Sequence, residues 1–277
     1  PRQRFARTRQ DHAHAAALAG EHPAVNRWLV FTWDGLGYGV DGALWGGEAL
    51  CGRPGNWRRV ARLRPFRLPG GHKASREPWR SALALCWEAG VPWPDGPRDN
   101  ELLFGAWKRG VNSPSTTSVG RLFDAAAALI GLTRTVSYEG QAPMQLEAIA
   151  SAHAPAVTLP LAINTRQCWE SDWSPLLAPL LDTRRSASER AGMLHHSLAQ
   201  ALCRQAMAIR AQTGVAHVGL SGGVFQNQRL TQHACALLRA QGFTVYLGQA
   251  IACNDAGICY GQIVESAYTT EAWAVKK

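Results

Sequence analysis

From residue 188 onward the chain alternates without exception: a long helical stretch (188–213), a strand (216–220), a glycine turn, a helix (226–241), a strand (243–248), a loop and a closing helix (256–267). No other feature limits the fold as much. When a helix separates two strands it carries the chain back to the starting edge, so the strands lie parallel in a sheet covered by helices. The expectation is an α/β domain with a largely parallel core. Leu194, Leu198, Leu202 and Ile209 recur at helical spacing and give the long helix a buried face. A chain of 277 residues, 46% hydrophobic, can bury one large core or two smaller ones.

Upstream, "DHAHAAALAGEH" (11–22) reads as a helix with Asp11 as a possible cap, and "RWLVFTWDG" (27–35) as a buried strand. Glycines at 35, 37, 39 and 42 turn residues 35–50 into a hairpin. Residues 51–75, rich in Arg, Pro and Gly, read as irregular. Helices follow at 76–90, 101–109, from about Ser118 to 132, and from Pro143 to Ser151. "PAVTLPLAI" (155–163) reads as a strand and 164–186 as loop.

No stretch approaches the roughly 18 apolar residues of a membrane span. The chain opens on Pro1 with Arg2, Arg4, Arg7 and Arg9, which reads as a processed or truncated piece of something longer. Seven scattered cysteines with no C-x-x-C pair argue against a disulfide framework or a cysteine zinc site, and for reduced thiols in the cytoplasm. The net charge of +9 permits an anionic partner. The arginines at 58, 59, 62, 64 and 67 are not interleaved with aromatics, so a solvated basic surface accounts for them better than a nucleic-acid module.

Three loops could carry chemistry, each at a strand end or a strand–helix handover, the edge of an α/β sheet where ligands bind. Asp34-Gly35-x-Gly37-Tyr38-Gly39 joins a carboxylate to glycines whose amides could face phosphate; a plain glycine hairpin fits equally well. Ser221-Gly222-Gly223 precedes Asn227: the bare backbone suits a ribose or base, Asn227 a sugar hydroxyl, and a tight turn would look the same. Cys253-Asn254-Asp255-Ala256-Gly257 offers Asp255, most economically a helix cap and alternatively a metal-ligating carboxylate. His12 and His14 lie two apart on a helix, so only one of them can serve a given ion. His195-His196 read as packing and surface, and His217 as a core histidine.

In their order along the chain, "DHAHAAALAGEH", "FTWDGLGYGVDGALWGGEAL", "LPGGHKASREPWRSAL", "TTSVGRLFDAAAALIGL", "SYEGQAPMQLE", "LSGGVFQNQRL" and "CNDAGICYGQ" resemble the C-terminal transferase domain of the nickel–iron hydrogenase maturation carbamoyltransferases, the HypF type. The resemblance implies an actin/sugar-kinase/Hsp70-like (ASKHA, RNase H-like) fold whose two halves close on a nucleotide beside a metal. It implies residues 1–25 as a remnant helix of the first half and 26–277 as the second half: hairpin 26–50, a mostly helical insertion 51–152 and an α/β core 153–277.

The family's metal ligands are two histidines spaced H-x-x-x-H and aspartates from the D-G-x-G-Y-G and N-D-x-G loops. Here they map to His14, Asp34 and Asp255, while the first histidine position falls on Gln10, with Asp11 or His12 as conceivable substitutes. His72-Lys73 stands where the family usually has an acidic residue. The implied cofactors are a divalent metal (iron, zinc, or magnesium with nucleotide) and ATP or carbamoyl-adenylate. Asp34 and Asp255 would act in catalysis, Gly35, Gly37 and Gly39 would hold phosphate, and Gly222, Gly223 and Asn227 the adenosine. Asp124 and Glu139 would reach ribose hydroxyls; a solvated helix carboxylate and a surface cap are the plainer alternatives.

The implied reaction moves a carbamoyl group to the C-terminal cysteine of a thiol-acceptor maturation protein (HypE type). Carbamoyl-adenylate would come from a module on another part of the protein or another chain. Threonylcarbamoyl or small-molecule O-carbamoyl transfer on the same scaffold, or a non-catalytic nucleotide-binding fragment, are the rival readings.

Overall fold

A computed structural model describes residues 9–39 and 41–274; the opening arginines Arg2, Arg4 and Arg7 lie outside this range. In chain order the elements are α1 (Gln10–Glu21), β1 (Trp28–Tyr38), β2 (Leu44–Arg53), β3 (Asn56–Leu63), β4 (Phe66–Arg67), α2 (Pro78–Ala89), α3 (Glu101–Lys108), β5 (Ser115–Thr116), α4 (Val119–Ile130), α5 (Gln141–Ile149), β6 (Leu161–Ile163), β7 (Trp169–Ser171), α6 (Leu177–Leu181), α7 (Ala187–Thr213), β8 (His217–Ser221), α8 (Gln228–Ala240), β9 (Thr244–Leu247) and α9 (Ile258–Ala274).

The strands form one sheet in the order β6-β7-β3-β2-β1-β8-β9, with the short β4 and β5 attached beside β2. β1 divides it into two styles. On one side β8 and then β9 run parallel to it, as the helix–strand alternation requires. On the other side β2 and β3 form an antiparallel meander. The expected largely parallel core therefore holds on one side of β1 only, because short turns rather than helices connect β1, β2 and β3.

Other local expectations also change. Residues 51–63, read as irregular, complete β2 and supply β3. The strand expected over 155–163 shrinks to Leu161–Ile163, and the loop 164–186 contains β7 and α6. Asp11 does not cap α1: Arg9 holds that position without a side-chain bond, and Asp11 is buried in the first turn.

β1 is covered on both faces, which is why its sequence is a continuous apolar run rather than an alternating one. Leu29, Phe31 and Trp33 face a large core shared with α2, α4, α7 and α8, where Leu85, Leu122, Leu198 and Leu230 pack. Trp28 and Val30 face the other way, onto Ala15, Leu18 and Ala19 of α1. α1 lies in turn against α9, so closely that a Cβ at Gly261 would stand 1.9 Å from the carbonyl oxygen of Ala13. The result is three layers, helix–sheet–helix, with α1 crossing the face of the sheet near the ends of β1 and β8.

All seven cysteines are free and five are buried, consistent with their reading as small core residues. No helix among the described residues is long and apolar enough to cross a membrane.

Candidate functional site

The antiparallel register of β1 with β2 breaks between Trp33 and Gly37. That irregularity takes Asp34 out of the ladder just past Thr32, the last residue of β1 paired with β8. Asp34 Oδ1 accepts from the Gly35 amide at 2.8 Å, which fixes the carboxylate and leaves Oδ2 facing α1. There the His14 Nε2 stands 2.9 Å from Asp34 Oδ2 and 3.5 Å from Asp255 Oδ1. Gln10, one turn earlier on α1, donates its side-chain amide to both carboxylates at 3.0 Å.

Asp255 is available because Asn254, not Asp255, caps the last helical segment: Asn254 Oδ1 accepts from the Ala256 amide at 3.1 Å. The economical reading of Asp255 as a cap is thus corrected, and its side chain, 74% exposed, forms the open rim of the cluster. The ligand-type atoms of His14, Asp34 and Asp255 lie within 4.8 Å of one another. One imidazole nitrogen and two carboxylate oxygens at that spacing suit a divalent cation. His12 turns away toward Glu265, and Asp11 Oδ1 accepts from the Thr32 hydroxyl, so neither substitutes in the cluster.

Electrostatics follow from these partners. Burial alone would push the His14 imidazole down, but hydrogen bonds to Asp255 and Asp34 overcome it and raise the pKa to about 9. Burial works against the Asp34 carboxylate too, yet the bonds from His14, the Gly35 amide and Gln10 hold it below the ordinary value.

The cluster opens into a cavity of about 590 Å³ lined by Asp34, Gly35, Arg121, Glu139, Gly223, Asn227 and Asp255 among others. Its size is that of small-molecule and cofactor sites. The three loops singled out in the sequence therefore meet at one place.

The glycines divide by what they touch. Gly223 lies against Asp34, with a Cβ there 3.0 Å from Oδ1. Gly222 instead serves the fold: φ is +101°, a Cβ would meet the Trp33 carbonyl oxygen at 2.3 Å, and its amide donates to Cys253 O at 2.7 Å. Gly37 packs over Asp11, Gly39 over the Trp45 ring, and neither lines the cavity. Asn227 is buried: Oδ1 caps α8 by accepting from the Leu230 amide, and Nδ2 sits 2.9 Å from His195 Nε2.

Asp124 is buried behind the cavity wall, 2.9 Å from the Arg121 guanidinium, and burial lifts its carboxyl to about 6 despite that neighbour. Glu139 is 67% exposed at the rim, 3.3 Å from Arg121 Nη2.

Arg121 escaped the sequence reading. It is 2% exposed and faces the cavity; Nη1 pairs with Asp124 Oδ2, Nη2 reaches Glu139, and Nε has no hydrogen-bond partner among the described residues. The available signal was a lone arginine inside the apolar run "GRLFDAAAALI". Ser118 was missed as well: its hydroxyl donates to the carbonyls of Asp34 and Gly35 and accepts from the Arg121 amide, tying α4 to the bulge of β1. His195 is buried as expected, and His196 stacks on His233 with ring centroids 4.5 Å apart. His217 is half-buried rather than core, beside the Tyr246 hydroxyl.

Residues 30–262 match the family model described as "Carbamoyltransferase, Kae1-like Domain, second subdomain". Carbamoyltransferase HypF of Rhodobacter capsulatus is 38% identical over 275 residues, 94% of this chain and 35% of the relative. A "Carbamoyltransferase HypF homolog" of Cupriavidus necator is 34% identical over 91% of this chain and 68% of its own length. A crystal structure of full-length HypF in a phosphate- and nucleotide-bound form superposes with a TM-score of 0.87 at 29% identity, over 94% of this chain and 35% of that one. The chain spans about a third of the length of most of the curated relatives it matches. It belongs to the HypF carbamoyltransferase family and carries the Kae1-like domain of that family, built on the ASKHA fold.

Proposed function

We propose that this chain transfers a carbamoyl group from carbamoyl-adenylate to the C-terminal cysteine thiol of a HypE-type partner during nickel–iron hydrogenase maturation, in the cytoplasm. The adenylate is made by a module beyond the chain described here. The observation that carries the reading is the convergence of His14, Asp34 and Asp255 at the mouth of a cavity large enough for a nucleotide. The family membership supplies the chemistry.

His14, Asp34 and Asp255 hold a divalent cation, which when bound neutralises phosphate charge and polarises the carbamoyl oxygen. Asp34 is fixed for this role by the Gly35 amide, and Asp255 remains accessible from the cavity mouth. Gly35 and Gly223 leave room for the nucleotide beside the metal ligands, and Glu139 at the rim accepts from its ribose hydroxyls. Arg121, braced by Asp124, presents guanidinium N–H groups to the anionic phosphate. No protein nucleophile is needed. The partner thiolate attacks the carbamoyl carbon, a C–S bond forms, the C–O bond to phosphate breaks, and AMP leaves with the electron pair.

The test supplies ATP, labelled carbamoyl phosphate and an adenylate-forming module in trans, then compares a cysteine-terminated peptide with tRNA as acceptor. Label on the peptide thiol is expected. Label on tRNA, or on neither acceptor while a full-length relative labels the peptide, would overturn the reading.

A further inference from the structure

The feature that separates this site from a plain histidine–carboxylate cluster is Gln10. Its Nε2 stands 3.0 Å from Asp34 Oδ2 and 3.0 Å from Asp255 Oδ1, so one neutral amide bridges the two carboxylates. Gln10 and His14 are four residues apart on α1 and present their side chains to the same side of the helix. The other end of the amide, Oε1, lies on the side of Gly37, where no donor among the described residues bonds it.

A primary amide is planar, and half a turn about its last torsion exchanges oxygen and nitrogen with almost no movement of the other atoms. After that exchange Oε1 would face both carboxylates. Three oxygens brought together repel unless a cation lies among them, so the exchanged amide is favourable only with a metal in place. Gln10 thus has two roles available from one position: as donor it holds the carboxylates apart from a metal, and as acceptor it completes the metal's coordination.

We propose, resting on the reading of His14, Asp34 and Asp255 as a metal site, that Gln10 is the fourth ligand and sets the metal preference. Its carbonyl oxygen gives a donor set of three oxygens and one nitrogen. Carboxylate and carbonyl oxygens suit manganese and magnesium, whereas an imidazole at the same place would shift the balance toward zinc and iron. Among the described residues nothing else near the cluster takes that place: Asp11 is directed to Thr32 and His12 to Glu265.

The experiment measures Mn²⁺ binding by electron paramagnetic resonance and Zn²⁺ binding by competition with a chelating dye. The proteins are the wild-type chain, Gln10→Ala, Gln10→His and, to locate the site, Asp34→Ala. Mn²⁺ affinity should fall about tenfold in Gln10→Ala, a difference of about 1.4 kcal/mol. In Gln10→His the ratio of Zn²⁺ to Mn²⁺ affinity should rise about tenfold or more. Unchanged Mn²⁺ affinity in Gln10→Ala, with binding still lost in Asp34→Ala, overturns the ligand role and leaves the metal site standing. Binding by Gln10→His but not by wild type also overturns it, since the amide would then block the ion. Absence of binding in all four proteins removes the metal site itself.

Discussion

Two buried histidines flank the cavity and are displaced in opposite directions. His14 on α1 and His195 on α7 are each 1% exposed, so burial penalises both imidazolium ions comparably. His14 meets Asp34 and Asp255 and is raised to about 9. His195 meets the carbonyl of Ala191 and the side-chain amide of Asn227, finds no carboxylate among the described residues, and is lowered by burial to about 4. Equal burial with unlike partners gives unlike charge. The α1 end of the cavity is built to gather charges, whereas the α7 end is built to hold a neutral ring that supports the cap of α8.

The strongest way to break the contrast is Asp34→Ala. It removes the carboxylate fixed by the bulge of β1, and carbamoyl transfer is expected to fall about a thousandfold or more, a loss on the scale of about 4 kcal/mol in the barrier. The fold should survive, as judged by an unchanged circular dichroism spectrum, and full activity in this variant would remove Asp34 from the site.

Acid and base should next separate the two histidines in the metal-free chain. His14, with a folded value of about 9 against 6.5 unfolded, stabilises the fold fully below about pH 6.5, and that contribution disappears as pH rises through 9. His195, lowered to about 4, costs nothing above 6.5 and destabilises progressively as pH falls from 6.5 to 4. Each effect amounts to about 3 kcal/mol. Urea midpoints across this range should show the high-pH loss vanish in His14→Gln and the low-pH loss vanish in His195→Gln.

Asn227→Asp gives His195 the carboxylate it lacks, at a spacing of 2.9 Å in the parent, while preserving an acceptor for the Leu230 amide. Its titration, followed by the ring-proton NMR signals, should move up by about two units, about 2.7 kcal/mol. A His195 that stays near 4 would mean that burial, not the missing partner, decides its state. The smallest effect belongs to Asp255→Asn: because this carboxylate is largely exposed, His14 should drop by about one unit or less.

Much of the fold was legible because local rules and tertiary demands agree. The helix–strand alternation after residue 188 fixed the parallel β1-β8-β9 side once β1 was recognised as a buried strand. The meander side was hidden for physical reasons. The ladder of β2 and β3 shifts between Ala49 and Leu50, opposite Ala61 and Arg59, which breaks the two-residue alternation that marks a strand. Its arginines are also tethered rather than loop-like: Arg59 pairs with Asp41 and Arg62 with Glu170. In the site, Asp34, Asp255 and His14 were legible as a set, whereas Arg121 and the bridging role of Gln10 were not. Both depend on what faces a side chain from a distant segment.

The glycine pair shows the same boundary. The sequence pattern at residues 222 and 223 fitted either a nucleotide approach or an ordinary tight turn. Gly222, just past β8, lies tight against the Trp33 backbone and Gly223 beside Asp34, so Gly222→Val should damage the backbone before any nucleotide is involved.

By itself, then, the order of residues determined the parallel α/β side and the three loops that carry carboxylates and glycines, because periodicity and turn chemistry are written locally, and the ordered motifs carried the family resemblance. Only tertiary structure decided which carboxylates meet His14, which way burial and partners move each histidine, and that an amide stands between Asp34 and Asp255. Those outcomes depend on desolvation and on partners from segments up to 245 positions away, and no local pattern encodes them.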